Sequence, residues 1–424
     1  MIGGFTVIAD SVAYGPELIV FSVDGVDFLT LDELGTRTDQ IWEFGVRAYL
    51  RIRKPGGLSR GPHVITVTER VDVPYLPFTT ENSQTRRMTM VDKGPESRIK
   101  LGVSLYSYQI EYLTRQLSLE ECIEAVADMG ADGIEIIPQS MIPGCFNLDA
   151  HFVRDWYSWM GRYGTKPVAI DAFSEENKLY SKLGRPATFD ETVTIQRKYI
   201  DLAAQLGCRY IRMQFTDEAL FNVLVPYAER RDIILGKEIH APQAIRSPMV
   251  EEIIDYIQRT GTRHLALIPD FGIWQYKAPP VVLEMLIRDG ASRHLVELIQ
   301  TMQAGGQDMA AITGEIKARG GNSLDLGAVR RICTNHYDDP DNLRAILPYV
   351  CGFHGKFWDM DENLQESCID YDNPIRILVE EGYDGYINSE YEGNRHVQDL
   401  GPVRGIEQVR RQHAMLRNLI KLYL

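Results

Sequence analysis

The chain has 424 residues, of which 44% are hydrophobic and 25% charged, as is typical of a globular protein with room for one large and one smaller domain. Its formal net charge of −14 disfavours a nucleic-acid partner, because binding a phosphate backbone requires a basic surface. The six cysteines are scattered without a CxxC pair, and no export signal or membrane-spanning run is visible. We therefore expect a cytoplasmic protein with reduced thiols and no membrane partner.

The first 95 residues predict a small β-rich domain. Short runs of alternating hydrophobicity, such as FTVIAD at 5–10, are typical of β-strands. The glycine- and proline-rich stretch KPGGLSRGPH at 54–63 predicts a sharp turn between strands. RRMTMV at 86–91 is a candidate for one last strand, and we expect the linker to the second domain near 92–98.

Residues 99–424 predict a (β/α)8 TIM barrel, because eight strand-like runs alternate there with amphipathic helical runs. Several helical runs open at Ser, Thr, Asp or Asn and close at Gly, as helix capping favours. His354 follows Asp270 by 84 positions, although one β/α unit takes roughly 30–40 residues. We therefore expect a helical insertion at about 275–345. The predicted fold class is α/β, a TIM barrel behind a small all-β domain.

Four of the strand-like runs each end in one residue that can bind a metal. They are Glu238, Asp270, His354 and Glu390. Because barrel strands present their carboxyl ends at one mouth, these side chains are expected to converge on a divalent cation. Three carboxylates and one imidazole suit Mn²⁺ best, with Mg²⁺ or Co²⁺ as alternatives. Each residue alone could instead cap a loop or pair with an arginine, and Glu392 competes with Glu390 for its place.

His240 follows Glu238 by two positions, so in an extended strand both side chains lie on one face. An imidazole beside a metal, but not bound to it, could act as a general base on a bound substrate. The alternative is an ordinary loop histidine that bonds to the backbone.

Other polar residues near the strand ends are candidates for contacts with sugar hydroxyls. They are Tyr106 and Tyr108 on the first strand, Glu135 on the second, Asp171 on the third, Gln214 on the fourth, Lys356 after the seventh and Glu392 after the eighth. For Lys356 and Glu135, a structural ion pair is the alternative interpretation.

The barrel motifs KLGVSLYSY, GIEIIP, GKEIHAP, PDFG, GFHGKF and NSEYEG resemble the xylose-isomerase-like superfamily of sugar isomerases and epimerases. Within it, the Glu-x-His pair at Glu238 and His240 and the SEYEG ending resemble the α subunit of bacterial C-glycoside deglycosidases. The N-terminal pieces WEFG at 42–45 and KPGGL at 54–58 resemble the β subunit of the same enzymes. Both subunit types would then lie on one chain.

This resemblance implies a metal-dependent lyase that cleaves 3-oxo C-glycosides. An aryl C-glycoside has no leaving oxygen to protonate, so the two-carboxylate route of ordinary glycosidases is unsuitable. His240 would instead remove the proton at sugar carbon 2, and the aglycone would leave by β-elimination. No GxGxxG follows a strand to indicate a nicotinamide cofactor. The implied partner is a small glycoside or 3-oxo sugar, and the implied assembly is a homo-oligomer.

Three other enzyme functions and one non-enzymatic function are alternatives to C-glycoside cleavage. A sugar isomerase or epimerase would use the same metal through an enediolate, and a 3-oxo O-glycoside lyase would use the same elimination. A base-excision endonuclease of this barrel type would need a histidine-rich zinc cluster and a basic face, neither of which the sequence carries. A sugar-binding module on an inactive barrel would be expected to lack metal ligands.

Overall fold

The computed structural model describes residues 2–23, 28–36, 48–54, 57–59, 61–71, 78–90, 98–172, 184–334 and 337–424. The chain divides into two compact units, Met1–Gly94 and Pro95–Leu424. The predicted linker near 92–98 lies outside the described residues up to position 97, and so does the whole WEFG motif.

The N-terminal unit contains two antiparallel sheets. Its strands are β1 (Ile2–Ala9), β2 (Val12–Tyr14), β3 (Ile19–Ser22), β4 (Leu29–Thr30), β5 (Tyr49–Ile52), β6 (Gly61–Val71) and β7 (Thr80–Met90), with a short helix α1 (Leu31–Thr36). One sheet has the order β2-β1-β6-β7 and the other β4-β3-β5. Phe5, Val7, Ile19 and Phe21 form a small buried core, as alternation along half-buried strands predicts. The predicted all-β domain is confirmed.

The second unit contains eight parallel strands arranged as a barrel. They are β8 (Lys100–Ser104), β9 (Gly133–Ile136), β10 (Pro167–Asp171), β11 (Tyr210–Met213), β12 (Ile234–Ile239), β13 (Leu265–Pro269), β14 (Phe353–Phe357) and β15 (Tyr386–Tyr391). Their order is β13-β12-β11-β10-β9-β8-β15-β14. Isolated parallel bridges from Leu267 to Val350 and from Asp270 to His354 join the two ends of this sheet. The predicted eight-stranded barrel is confirmed.

Helices follow the barrel strands along the chain. They are α2 (Gln109–Leu113), α3 (Leu119–Asp128), α4 (Pro138–Met141), α5 (Ala150–Tyr163), α6 (Phe189–Leu206), α7 (Glu218–Glu229), α8 (Pro248–Thr260), α9 (Pro280–Arg288), α10 (Arg293–Ala304), α11 (Met309–Ala318), α12 (Ser323–Cys333), α13 (Leu343–Ile346), α14 (Asp372–Glu380) and α15 (Gly405–Tyr423). Capping fixes several of their ends: Ser118 and Glu121 form a capping box at the start of α3, and Gly164 ends α5 in the left-handed conformation.

Helices α9 to α12 lie between β13 and β14 and have an apolar cluster of their own. Leu295, Ile299, Ile312, Ile316 and Val329 are buried in it. This second core explains why so long a connection keeps regular structure, because its helices bury their apolar faces against one another. All six cysteines are free thiols. Within the described ranges, no helix combines the length and apolar character needed to cross a membrane.

Candidate metal centre and active site

The structure brings the four predicted ligand residues together. One ligand atom from each of Glu238, Asp270, His354 and Glu390 lies within 4.8 Å of the others, and all four side chains are buried. Glu238 is the last residue but one of β12, and Glu390 holds the same place in β15. Asp270 directly follows β13, and its bridge to His354 places these two residues at one level of the barrel.

Strand alternation explains why two residues of β14 point into the same space. His354 and Lys356 are two positions apart, so both side chains lie on one face of the strand. Lys356 pairs across the sheet with Glu390. His354 therefore lies near the start of its strand rather than at its end, where the apolar run placed it.

His354 is held between carboxylates on both sides of its ring. Its Nδ1 lies 2.8 Å from Oε1 of Glu238 and 3.7 Å from Oε1 of Glu390, and its Nε2 lies 3.2 Å from Oε1 of Glu135. Burial alone would lower the pKa of His354, but Glu135, Glu390 and Glu238 raise it well above its ordinary value. Glu135 is itself fully buried and also accepts a hydrogen bond from Asn388. It therefore lies behind His354, away from solvent.

Arg212 is a site residue that the sequence analysis missed. Its Nε donates to Oε2 of Glu238 over 2.9 Å, its Nη2 donates to the same oxygen, and its Nη1 lies 3.2 Å from Asp171 Oδ1. Burial would raise the pKa of Glu238, yet the charges of Arg212 and His354 hold it well below the usual range. Burial raises the pKa of Asp171 to about 6, against the opposing charge of Arg212.

Lys356 is a buried cation shared by three carboxylates. Its Nζ lies 2.9 Å from Oδ2 of Asp270, 3.4 Å from Oε2 of Glu390 and 3.3 Å from Oε1 of Glu392. Burial would lower the pKa of Lys356, but these charges raise it well above its ordinary value, so the amine is an ammonium ion. Burial raises the pKa of Glu390 to about 8, although Lys356 and His354 oppose that shift.

Glu392 lies next to the four-residue cluster but has partners of its own. Its Oε2 accepts a hydrogen bond from the Tyr106 hydroxyl over 2.8 Å and another from Arg395. Burial would raise the pKa of Glu392, but Lys356 and Arg395 lower it to about 2. Glu390 is the residue that joins the cluster, while Glu392 and Tyr106 lie beside it.

His240, the predicted base, lies exposed just beyond β12. Its Nδ1 is 2.6 Å from the carbonyl oxygen of Ala241, and its Nε2 is 2.9 Å from Lys356 Nζ. Because a carbonyl oxygen only accepts, Nδ1 carries the proton, and the lone pair of Nε2 faces Lys356.

The two remaining candidates for sugar contacts lie in different surroundings. Gln214 has an exposed side chain, and its backbone carbonyl accepts a hydrogen bond from Lys237 over 2.8 Å. Tyr108 is fully buried in the main apolar core, away from the mouth. The chain turns into a short 3-10 helix after Ser104, so strand alternation does not extend to Tyr108.

The residues present fit a divalent cation. Carboxylates outnumber cationic side chains around the cluster, and a buried excess of negative charge is costly unless a cation offsets it. Oδ2 of Asp270 and Oε2 of Glu390 are buried and accept no hydrogen bond from the described residues, and the Lys356 ammonium lies 2.9 Å from the first and 3.4 Å from the second. A set of mostly oxygen donors with one imidazole nitrogen suits Mn²⁺, Mg²⁺ or Co²⁺.

Comparison with known proteins identifies the family of this chain. A family model described as "Xylose isomerase-like TIM barrel" matches residues 123–419, which is more than half of the chain. A C-glycoside deglycosidase alpha subunit from Arthrobacter globiformis is 31% identical over 336 residues, covering 74% of this chain and 90% of the relative. The chain belongs to the C-glycoside deglycosidase alpha subunit family. The resemblance noted from its barrel motifs is confirmed.

Other matches cover both parts of the chain. A model described as "C-glycoside deglycosidase beta subunit" matches residues 1–75, so β-subunit-like and α-subunit-like sequences lie on one chain. A 3′-dehydrocarminate deglycosidase alpha subunit from a Microbacterium species is 28% identical over 341 residues, covering 76% of this chain and 95% of the relative. The solved structure of a sugar phosphate isomerase/epimerase from Parabacteroides distasonis ATCC 8503 covers 79% of this chain and 98% of that chain, with 14% identity and a TM-score of 0.42.

Proposed function

We propose that this protein cleaves C-glycosides whose sugar carries a ketone at carbon 3, removing the proton at carbon 2 and eliminating the aglycone from carbon 1. The observation that carries the proposal is the position of His240 Nε2, which lies beside a buried, oxygen-rich cluster in a chain of the C-glycoside deglycosidase family. The name of the Microbacterium relative specifies a 3′-dehydro substrate, which is consistent with a reaction that needs the ketone.

The chemistry follows from the ketone. A carbonyl at carbon 3 acidifies the adjacent C2–H bond, and the bond from carbon 1 to the aglycone lies β to that carbonyl. A divalent cation held by Glu238, Asp270, His354 and Glu390 would supply Lewis-acid polarisation of the ketone oxygen when bound. The C2–H bond breaks and its electron pair moves toward the ketone oxygen. When that pair returns, a C1–C2 double bond forms, and the aglycone leaves with the electron pair of its bond to carbon 1. The aglycone takes up one proton, which balances the proton removed from carbon 2.

His240 is placed to accept the carbon 2 proton at Nε2. Its Nδ1–H group donates to the Ala241 carbonyl, which fixes the ring orientation and the tautomer. The Lys356 ammonium donates to the same Nε2, so it must turn away before the imidazole can act as a base. We propose that Lys356, Glu392 and Tyr106 then contact sugar hydroxyls, and that Gln214 contacts the substrate from the exposed rim.

Glu135 has a different proposed role from the sugar contact expected from sequence. Its carboxylate lies against Nε2 of His354 and is fully buried, so it would orient the imidazole whose Nδ1 faces the cluster. Carboxylate partners of this kind fix the ring and the tautomer of a metal-binding histidine.

A comparison of substrates tests the proposed reaction. Purified protein with added Mn²⁺ is incubated separately with a 3-oxo C-glucoside of a phenol, the matching 3-oxo O-glucoside and a free ketohexose. We expect free aglycone from the C-glucoside. Interconversion of the ketohexose without aglycone release would favour a sugar isomerase or epimerase, and cleavage of the O-glucoside alone would favour an O-glycoside lyase. Either result would overturn the proposal.

The match of residues 1–75 supports a second part of the proposal, that the single chain acts without a separate β subunit. We expect the purified chain to release aglycone with no added polypeptide and to form a homo-oligomer. Activity that appears only after a second polypeptide is added would contradict self-sufficiency, and a monomeric mass by light scattering would contradict the assembly.

A further inference from the structure

We infer that Arg212 is a positioning residue that directs one oxygen of Glu238 toward the metal and keeps the other oxygen away from it. This inference rests on the proposed metal-dependent function and deepens it. The Nε and Nη2 atoms of Arg212 donate to Oε2 of Glu238, and its Nη1 lies 3.2 Å from Oδ1 of Asp171.

The two oxygens of Glu238 have separate partners. Oε2 receives both Nε and Nη2 of Arg212, so its accepting capacity is used by one guanidinium. Oε1 faces His354 Nδ1 at 2.8 Å, on the side where the four ligand residues meet. A carboxylate held in this way presents one oxygen to a cation, so Glu238 would bind the metal through Oε1 alone.

Asp171 holds the other side of the guanidinium. Asp171, Arg212 and Glu238 come from the consecutive strands β10, β11 and β12, and Asp171 pairs directly with Arg212 in the sheet. Arg212 is 7% exposed and Asp171 is fully buried, so neither side chain has solvent room to change rotamer. Two hydrogen bonds to Glu238 and an ion pair with Asp171 therefore orient the guanidinium, which is a rigid planar donor.

Substitution of Arg212 should change metal affinity in opposite directions, depending on whether Arg212 acts only through its charge or by orienting Glu238. If Arg212 acted only as a nearby positive charge, its removal would strengthen cation binding, because like charges repel. If it orients Glu238, its removal lets the carboxylate rotate and weakens cation binding. Substitution of groups that orient metal ligands typically lowers metal affinity by about 10–100-fold.

The test is Mn²⁺ affinity, measured from the electron paramagnetic resonance signal of free Mn²⁺ during titration of the purified full chain. Arg212→Lys keeps the charge but loses the two-pronged donor, and we expect affinity to fall by about tenfold, at the low end of the range for orienting residues. For Arg212→Gln we expect a fall of about 10–100-fold. Arg209→Lys is the matched control, since Arg209 is exposed just before the same strand.

Two results would overturn the inference: Arg212→Lys binding Mn²⁺ within twofold of the unmodified protein, or Arg212→Gln binding it as tightly or more tightly. If Arg212→Gln does not fold, as judged by circular dichroism, the charge-preserving lysine variant decides. Glu238→Gln separates this inference from the proposed function. If Glu238→Gln binds Mn²⁺ as fully as the unmodified protein, the proposed metal site is wrong. If Glu238→Gln loses Mn²⁺ but Arg212→Lys binds it normally, only the proposed role of Arg212 is wrong.

Discussion

The two halves of the candidate metal centre are built differently. We call Glu238 and His354, with the residues behind them, the clamped half. Each ligand there has a second, fixed partner, because Arg212 bonds the outer oxygen of Glu238 and Glu135 lies against the outer nitrogen of His354. These partners hold the side chains in place whether or not a cation is bound.

We call Asp270, Glu390 and Glu392, gathered around Lys356, the lysine half. Here one ammonium on a flexible side chain is shared by three carboxylates, and it also donates to His240. A compact point charge on a long stem can move, whereas a guanidinium fork is preorganised. The clamped half would therefore keep its geometry when a cation binds, whereas the lysine half would rearrange if a cation took the place of the ammonium.

Removing one ligand from each half should have the largest effect. Glu238→Ala and Asp270→Ala are both expected to lose Mn²⁺ and activity. In metal-free protein they should differ, because Glu238→Ala removes the carboxylate that accepts two hydrogen bonds from the buried Arg212, at a cost of about 3–5 kcal/mol in unfolding free energy. Asp270→Ala leaves Lys356 with Glu390 and Glu392, so we expect a smaller loss. Metal analysis measures the Mn²⁺ content of both variants, and denaturant unfolding measures their stability. Equal destabilisation of the two variants would contradict the proposed difference between the halves.

His240 should affect turnover without affecting the metal. For His240→Ala we expect kcat to fall by about 10²–10⁴-fold, the usual contribution of a general base. Mn²⁺ content should be unchanged, because His240 lies outside the four-residue cluster. His294→Ala, at an exposed position on α10, is the control. Unchanged turnover in His240→Ala would exclude it as the base.

Metal affinity should depend on pH through the lysine half. Burial raises the pKa of Glu390 from 4.5 to about 8, so below pH 8 a proton competes with the cation for this carboxylate. We expect Mn²⁺ affinity to fall by about tenfold per pH unit from pH 8 to pH 6 through this group. In the metal-free chain the sign is reversed: Glu390 contributes stability below pH 4.5 and loses it as pH rises through 8. Mn²⁺ titrations at several pH values measure the first effect, and a flat affinity from pH 6 to pH 8 would contradict it.

Removing the Lys356 ammonium should change Mn²⁺ affinity less than the ligand substitutions do, and in the opposite direction from Arg212→Gln. For Lys356→Met we expect Mn²⁺ affinity to rise by about tenfold, well below the full Coulomb energy of about 4 kcal/mol for charges 4 Å apart near a protein surface. Turnover should fall, because Lys356 is a proposed substrate contact. The same Mn²⁺ titration applies, and Lys356→Arg is the charge-preserving control. Weaker Mn²⁺ binding in Lys356→Met would show that the lysine supports the metal site rather than competing for it.

Sequence patterns were sufficient to predict the barrel and to predict that its four candidate ligands lie close together. Glu238 and Glu390 follow apolar runs, and parallel strands bring their carboxyl ends to one mouth. Arg212 was missed because only the residue after its strand, Gln214, was considered. The signal was present, since an arginine inside the apolar run YIRM must be paired when buried.

Contacts between distant strands could not be read in the same way. Whether Glu135 faces sugar or His354 depends on how far it lies from the mouth, and hydrophobic alternation reports the face of a strand but not its depth in the barrel. Tyr108 was placed at the mouth by extending alternation past Ser104, where the chain turns into a 3-10 helix. The loss of strand periodicity at that turn put Tyr108 in the core.

We propose that His240 removes the carbon 2 proton and that this removal expels the aglycone. A 3-oxo C-glucoside deuterated at carbon 2 tests this step when it is incubated with the Mn²⁺-loaded protein and both the free aglycone and the deuterium label are followed. We expect one equivalent of aglycone for each deuterium removed from carbon 2, with both processes suppressed in His240→Ala. Release of aglycone while the deuterium stays at carbon 2 of the sugar would contradict this role of His240. Loss of the deuterium with no aglycone released would also contradict it.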